Sequence, residues 1–339
     1  MGKYKLINNV LGWIVFAIAS TVYLMTMEPT ASFWDCGEFI SSAYKLEVGH
    51  PPGAPFFMLT ANLFTQLASD PSTVAKMVNT MSALFSGLTI LFLFWSITHL
   101  ARKIMVKDGE EASLGQMITV MGSGLVGALA YTFSDTFWFS AVEGEVYAYS
   151  SLFTAVVFWL ILKWEAVADK PHADRWIVLI AYLMGLSIGV HLLNLLCIPA
   201  IVLVYYYKKF PNPTMKGTLV ALLASFAIVA LMMYGVVQGL VEVCGYFELL
   251  FVNVLGMPYN SGVFAYVIIV AGVLIWSIWE TMRDEIHPTR MKIAFILSVV
   301  LIGIPFIGSG YVLAVILTAA LSLYLFKSKK VDIKTLNTI

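Results

Sequence analysis

The chain has 339 residues, of which 60% are hydrophobic and 12% are charged, and its mean hydropathy is +0.86. Soluble domains carry about 25% charged residues, so this composition excludes an ordinary soluble protein and predicts a protein embedded in the lipid bilayer. The formal net charge is zero, from 20 basic and 20 acidic residues, and this balance gives no reason to expect nucleic acid as a partner.

Apolar runs long enough to approach the bilayer thickness recur along the whole chain. They predict an all-α polytopic membrane protein of about ten transmembrane helices, forming a single domain over residues 1–339 with no soluble C-terminal domain. The predicted spans are Val10–Met27, Val74–Leu100, Leu114–Phe133, Val146–Trp164, Trp176–Val190, Leu192–Tyr207, Thr218–Val241, Val263–Trp279, Ile293–Ile307 and Gly310–Phe326.

The basic residues indicate the orientation of these spans, because short cytoplasmic loops are enriched in Lys and Arg. If Lys3 and Lys5 lie inside, every other basic residue except Lys45 and Lys76 falls in an inside break. The acidic residues show no such bias. The sequence therefore predicts that both termini are cytoplasmic and that the connection from Glu28 to Thr73 lies outside.

This first outer loop is the only long outer connection, and loops of such length usually serve function. The segment that starts at Ser32 is predicted to be a short amphipathic helix that stops near Gly49. In a purely structural interpretation, Asp35 occupies the N3 position of a capping box with Ser32. Residues Ala54–Ala68 are apolar but too few to cross the bilayer, which favours an interfacial or re-entrant helix.

Acidic residues of both outer loops are the strongest candidates for function. Asp35 and Glu38 are three residues apart, so on a helix their carboxylates share one face. They could simply cap and solvate the helix, but an apolar setting disfavours the charged carboxylate and brings a potential base towards its working range. The second outer loop brings further polar side chains to the same membrane face: Glu143, Glu145 and Tyr147.

Two histidines are predicted on this face as well. His50 lies in a Gly-His-Pro-Pro turn, and His191 lies between the fifth and sixth spans, followed by Asn194. Either histidine could be purely structural. A divalent cation could bind the loop carboxylates, but no ligand spacing demands one, so the cofactor remains open.

Three segments together resemble a known family: Trp34-Asp35-Cys36-Gly37-Glu38-Phe39, Gly49-His50-Pro51-Pro52-Gly53-Ala54-Pro55 and Glu145-Val146-Tyr147. They are similar to the bacterial relatives of the transmembrane protein O-mannosyltransferases, which have the GT-C glycosyltransferase architecture. The resemblance implies membrane-parallel helices in the first outer loop, residues 28–73, and a soluble C-terminal portion in many members beyond the point where this chain stops.

The resemblance also implies an activity, which is sugar transfer from a polyprenyl-phosphate-linked donor to a hydroxyl of a secreted protein or glycan. Such an enzyme would act on the outer face of a bacterial inner membrane. By position in the motif, Asp35 is the expected base of an inverting displacement, with Glu38 orienting the acceptor or sugar. Substrate-binding roles are expected for His50, Glu143, Glu145, Tyr147, His191 and Asn194.

Two other classes of function fit parts of the same sequence. A secondary transporter or a lipid or polyprenyl-phosphate flippase would also allow ten spans, although such proteins tend to place charged groups near the bilayer midplane and to have repeated halves. Here the span centres are nearly free of charge and no repeat is evident. A non-catalytic membrane scaffold explains the clustered outer acids least well.

Overall fold

The computed structural model describes residues 2–51, 53–107, 109–283, 285–306, 311–328 and 331–338. Five residues of the sequence predictions lie outside the described residues. They are Pro52 of the Gly-His-Pro-Pro turn, the span limits Ile307 and Gly310, and Lys329 and Lys330 of the predicted inside face. Regular structure in the described residues is entirely helical, which confirms the all-α prediction.

The helices follow one another with short connections. They are α1 (Lys3–Thr26), α2 (Cys36–Lys45), α3 (Pro55–Thr65), α4 (Val74–Met105), α5 (Leu114–Thr132), α6 (Asp135–Ala141), α7 (Val146–Glu165), α8 (Arg175–Ile188), α9 (Ile198–Lys209), α10 (Met215–Ala230), α11 (Gln238–Leu249), α12 (Ser261–Met282), α13 (Pro288–Leu301), α14 (Tyr311–Lys327) and α15 (Ile333–Thr338). Short 3₁₀ turns cover Pro71–Thr73, Leu192–Cys197 and Ile304–Phe306, and π-helical turns cover Leu231–Val237 and Leu250–Val254.

Seven helical stretches within the described residues are long and apolar enough to cross a membrane. They correspond to seven of the predicted spans, and several apolar helices of this length mark a multi-pass membrane protein. The other three predicted spans are the shorter helices α8, α13 and α14, of 14, 14 and 17 residues. A total of ten spans therefore stays a prediction.

The described residues form two compact units, Met1–Leu222 and Leu223–Ile339, and the division falls within α10. In the first unit α4 is the central helix, since α1, α5 and α7 pack along it and α2, α3 and α6 pack against it as well. Its 32 residues make it about 48 Å long, which exceeds the hydrocarbon thickness of about 30 Å.

Small residues let the neighbouring helices approach α4 closely. A Cβ atom at Gly87 of α4 would collide with Ser20 of α1, and one at Gly124 of α5 would lie 2.8 Å from the Phe94 ring. Gly127 of α5 also approaches α4 closely, since its Cβ position lies 2.6 Å from Ile97, whereas Gly122 faces open space.

The second unit contains α11 to α15, and polar contacts join its helices. The Glu248 carboxylate accepts hydrogen bonds from the backbone N–H groups of Asn260, at 2.6 Å, and Gly262, at 3.0 Å, which caps the start of α12. Glu280 is 2% exposed and lies 3.9 Å from both Arg283 and Arg290.

Asn79 of α4 fastens the start of the first outer loop, and its replacement tests that role. Its buried amide donates to the carbonyl oxygens of Glu28, at 2.7 Å, and Thr30, at 3.0 Å. We expect Asn79→Ala to lower the free energy of unfolding by about 1–3 kcal/mol, because two part-buried hydrogen bonds are lost. Thermal unfolding in detergent would measure the change.

Thr89→Ala is the matched control, because Thr89 is also a buried polar residue of α4 and its hydroxyl bonds the Phe85 carbonyl of the same helix. Equal unfolding temperatures for the Asn79→Ala and Thr89→Ala variants would contradict an anchoring role for Asn79.

Candidate active site

The two outer loops are joined to each other at their bases. The Glu28 N–H donates to the Val142 carbonyl at 3.0 Å, and the Trp138 indole donates to the Thr26 hydroxyl at 2.9 Å. The Asn79 amide of α4 also donates to the Glu28 carbonyl. Residues distant in sequence are therefore held over the N-terminal end of α4.

The first outer loop contains two short helices, as the sequence predicts. The Phe39 ring of α2 packs edge-on against the Phe57 ring of α3, with centroids 5.4 Å apart. The Asn62 amide donates to the Ala43 carbonyl at 2.9 Å, so α2 and α3 form one packed pair. That both helices lie along the membrane stays a prediction.

The start of α2 differs from the predicted capping box. Asp35 is the N-cap residue itself and makes no capping hydrogen bond with its side chain, whereas the prediction placed it inside the helix at N3. The reason is backbone geometry, since Trp34 adopts a left-handed conformation with φ of 61°, which delays the helix to Cys36. The helix also ends at Lys45, with Leu46 as its left-handed C-cap, before the predicted stop at Gly49.

The freed Asp35 carboxylate lies beside Glu38 and His50. Ligand atoms of these three residues lie within 4.8 Å of one another, which confirms that Asp35 and Glu38 share a face. Glu38 accepts hydrogen bonds from the His50 backbone N–H at 2.6 Å and pairs with His50 Nδ1 at 3.0 Å. These bonds hold the pKa of Glu38 below its usual range, and the same carboxylate raises the pKa of His50.

This trio is also the group within the described residues that fits a metal ion. Two carboxylates and an imidazole are ordinary ligands of divalent transition metals such as manganese or zinc, whereas magnesium prefers oxygen alone. All three side chains are accessible to solvent, so an ion could reach them.

A cavity of about 280 Å³ opens next to Asp35, and both outer loops line it. Four of the predicted site residues lie in its wall: Asp35, Glu143, Glu145 and Tyr147. Three further residues complete the lining, Trp34, Phe139 and Ser140, and the sequence analysis assigned them no binding role. Their positions next to the acidic motifs in the sequence could have indicated this, because an aromatic ring beside a carboxylate can form the apolar part of the same cavity wall.

Burial sets the protonation of the two acids from the second loop. Glu143 is 4% exposed and Glu145 is 8% exposed. Burial raises the pKa of Glu143, although hydrogen bonds from Ser32 and Cys36 oppose the change. Burial, followed by the charges of Glu143 and Asp35, raises the pKa of Glu145 to about 7.

His191 and Asn194 lie at the side of this region and do not line the cavity. The His191 ring contacts the Tyr147 ring, with centroids 5.4 Å apart, and its Nδ1 accepts the Leu193 N–H at 3.1 Å. Burial lowers the pKa of His191. Asn194 is fully buried and donates to the Ser187 hydroxyl at 2.9 Å, so its amide is engaged within the protein.

The helices and the cavity define a multi-pass membrane protein with a carboxylate-lined recess at one end of its first unit. Residues 35–214 match the family model described as the Protein O-mannosyl-transferase TMEM260 N-terminal domain. The match covers more than half of the chain, and the chain belongs to this family. The predicted likeness to O-mannosyltransferases is thereby confirmed, while the GT-C architecture and a bacterial origin stay predictions.

Two curated relatives are similar over the same part of the chain. The "Protein O-mannosyl-transferase TMEM260" of Mus musculus is 28% identical over 174 residues, which are 51% of this chain and 22% of the relative. The "Protein O-mannosyl-transferase tmem260" of Dictyostelium discoideum is 25% identical over 187 residues, which are 53% of this chain and 21% of the relative. The matched segment thus spans about a fifth of each relative. No solved structure gives a significant match.

The raised pKa of Glu145 predicts how the stability of the folded protein depends on pH. The folded protein holds the Glu145 proton more tightly than the unfolded chain, so this stabilising contribution is present at acidic pH and is lost as pH rises towards and through about 7. Glu145→Gln lacks this titration. We therefore expect the unfolding temperature of Glu145→Gln, minus that of the wild type, to increase from pH 5 to pH 8. Thermal unfolding across that range measures it.

Glu47→Gln is a suitable control, because the Glu47 side chain is 59% exposed and lies outside the cavity. A difference between wild type and Glu145→Gln that stays constant from pH 5 to pH 8 would contradict the shifted titration.

Proposed function

We propose that this chain is the membrane part of a glycosyltransferase that moves a sugar from a polyprenyl-phosphate-linked donor to a hydroxyl group of an acceptor. A Ser or Thr side chain of a secreted protein is the favoured acceptor. Membership of the TMEM260 N-terminal domain family supports the reaction class, and the names of both relatives support a protein acceptor.

The observation that carries the proposal is the position of Asp35. Its carboxylate forms part of the cavity wall and is free of a capping hydrogen bond, so it is available to accept a proton. The neighbouring His50–Glu38 pair fixes the loop that lies beside it.

In the proposed step, Asp35 removes the proton of the acceptor hydroxyl while that oxygen attacks the anomeric carbon of the donor. The bond between this carbon and the phosphate oxygen breaks, and the phosphate leaves with the bonding electrons. A phosphate leaving group needs no general acid if hydrogen bonds or cations stabilise it, so one base suffices and the configuration inverts.

The other cavity residues are assigned to substrate binding. Glu145, with a pKa near 7, can keep its proton at neutral pH and donate a hydrogen bond to a sugar or phosphate oxygen. Glu143 and Tyr147 complete the polar wall, and Trp34 offers a ring that is 89% exposed for stacking on a sugar or peptide. His50 lies beside Asp35 at the edge of the cavity. His191 and Asn194 do not line the cavity, and their proposed role is to support the position of Tyr147.

The charge bias of the sequence supports the proposed orientation, and the resemblance to bacterial O-mannosyltransferase relatives supports the proposed membrane and architecture. The cavity faces the outer side of a bacterial inner membrane, the termini are cytoplasmic, and the first unit adopts the GT-C architecture. The donor lipid reaches the cavity from the bilayer, and the acceptor reaches it from the aqueous side.

Replacement of the base is the decisive test. We expect Asp35→Asn to lower sugar transfer at least about 100-fold, because general-base catalysis contributes roughly 10²–10⁴-fold. The measurement is transfer of labelled sugar from membrane polyprenyl-phosphate donors to endogenous acceptors, at matched protein levels. Asp135→Asn is the control, since Asp135 is an exposed carboxylate of the second loop outside the cavity.

Other outcomes point to other assignments. Unimpaired transfer by Asp35→Asn would place the base elsewhere, with Glu38 or Glu143 next. A wild-type protein that binds the donor lipid and transfers nothing would favour the transporter or flippase.

The cluster of Asp35, Glu38 and His50 has a second candidate role, which is to bind a divalent cation. Transfer that a chelator abolishes and manganese restores would assign these residues to an ion that holds the donor phosphate. Transfer that is insensitive to chelation would leave Asp35 with the role of base.

A further inference from the structure

A second cavity, larger than the acidic one, lies at the other end of α4 and plays no part in the proposed reaction. Its volume is about 770 Å³, compared with about 280 Å³ for the acidic cavity. It is lined by the start of α1, the last turns of α4 and α7, and the start of α5. Along α4, Asn79 and Thr98 are separated by 19 residues, or about 28 Å, so the two cavities lie far apart.

The lining of this cavity is strongly basic. Four cations line it, Lys3, Lys5, Arg102 and Lys163, against a single carboxylate, Glu111. Among the described residues none of the four forms an ion pair, and the charges of Lys5 and Lys163 repel each other. Like charges gathered around an open cavity are stabilised by an anion that binds between them.

Aromatic rings hold two of these cations in place. The Arg102 guanidinium lies 4.9 Å from the Tyr4 ring centre, and the Lys163 ammonium lies 4.9 Å from the Trp159 ring centre. Cation–π contacts of this kind fix the position of a charge without neutralising it. Trp and Tyr also favour the headgroup level of a bilayer, which is where lipid phosphates lie.

Two unpartnered polar groups belong to residues of the cavity wall. The Asn8 side-chain oxygen and the Trp95 indole nitrogen are buried without a hydrogen-bond partner among the described residues, and both residues line the cavity. The Trp95 nitrogen lies against Gly12 of α1. Buried polar atoms are nearly always paired in folded proteins, so packing of α1 on α4 alone does not account for polar side chains in this wall.

Topology alone accounts for only part of this pattern. Cations in the last turns of α4 and α7 complement the helix dipoles and mark a cytoplasmic end. Lys103 is such a residue, and it pairs with Glu165. A topology signal requires no cavity, however, and none of the four cations that line this one forms an ion pair among the described residues.

We propose that this basic cavity binds the phosphate headgroup of an anionic membrane lipid. The lipid chains would lie along the exposed apolar face of α1, where Leu6, Val10 and Trp13 recur at helical spacing from the cavity outwards. A phosphate from a soluble molecule shares the recognition chemistry, but the apolar face that adjoins the cavity favours the lipid. This binding is independent of sugar transfer.

The test uses the full chain in nanodiscs that contain phosphatidylglycerol or phosphatidylcholine. We expect phosphatidylglycerol to raise the unfolding temperature and to remain bound in native mass spectrometry. Arg102→Gln combined with Lys163→Gln should weaken its retention about tenfold or more, because each basic residue contributes to binding of an anionic headgroup. The matched control is Lys107→Gln combined with Lys170→Gln, two exposed cations outside the cavity.

Lys3→Gln combined with Lys5→Gln provides a second variant at exposed positions near the N-terminus, in case the first pair impairs folding. It should weaken retention in the same direction, and Lys163→Arg should preserve it. Equal retention of both lipids, or equal loss in the Lys107 and Lys170 control, would overturn the proposal. Stabilisation by inorganic phosphate in phosphatidylcholine nanodiscs that matches the phosphatidylglycerol effect would overturn the lipid as the source.

Discussion

The fastening of two outer loops to the end of α4 is the constraint on which the candidate active site depends. Asp35 and Glu145 come from different loops, and they can line one cavity only if both loops have fixed positions. The Asn79 amide and the Glu28–Val142 hydrogen bond provide this fixing, and the packed pair α2 and α3 supports it from the side. Without these contacts the acids would be solvated surface groups with no shared environment.

The environment then gives the acids different properties. Glu38 is fixed as an anion by its bonds to His50, whereas Glu145 is buried near Glu143 and Asp35 and keeps its proton up to about pH 7. Carboxyl groups whose environments push their pKa values apart can take separate roles in one reaction. The central helix α4 carries this acidic region at one end and the basic cavity at the other, so the first unit presents opposite charge at its two ends.

Much of this arrangement could be predicted from the sequence, because apolar runs and acidic motifs are local signals. The short helices of the first loop and the gathering of Asp35, Glu143, Glu145 and Tyr147 are confirmed. The capping box was wrong, since the left-handed backbone of Trp34 cannot be read from residue preferences. The short α8 also has a tertiary cause, because the Gly189 carbonyl that follows it accepts the N–H groups of Phe56 and Phe57 at the start of α3. The basic cavity forms only where four helix ends meet, those of α1, α4, α5 and α7, and no local sequence pattern predicts that meeting.

The central claim is that Asp35 and Glu145 share one cavity, and the titration of Glu145 tests it most directly. Infrared spectroscopy of the protonated carboxyl group, assigned with Glu145→Gln, would follow this titration in wild type and in Asp35→Asn. Because the Asp35 charge contributes to the raised pKa of Glu145, the account predicts a lower Glu145 pKa in Asp35→Asn than the value of about 7 in the wild type. An unchanged Glu145 pKa would contradict a shared site.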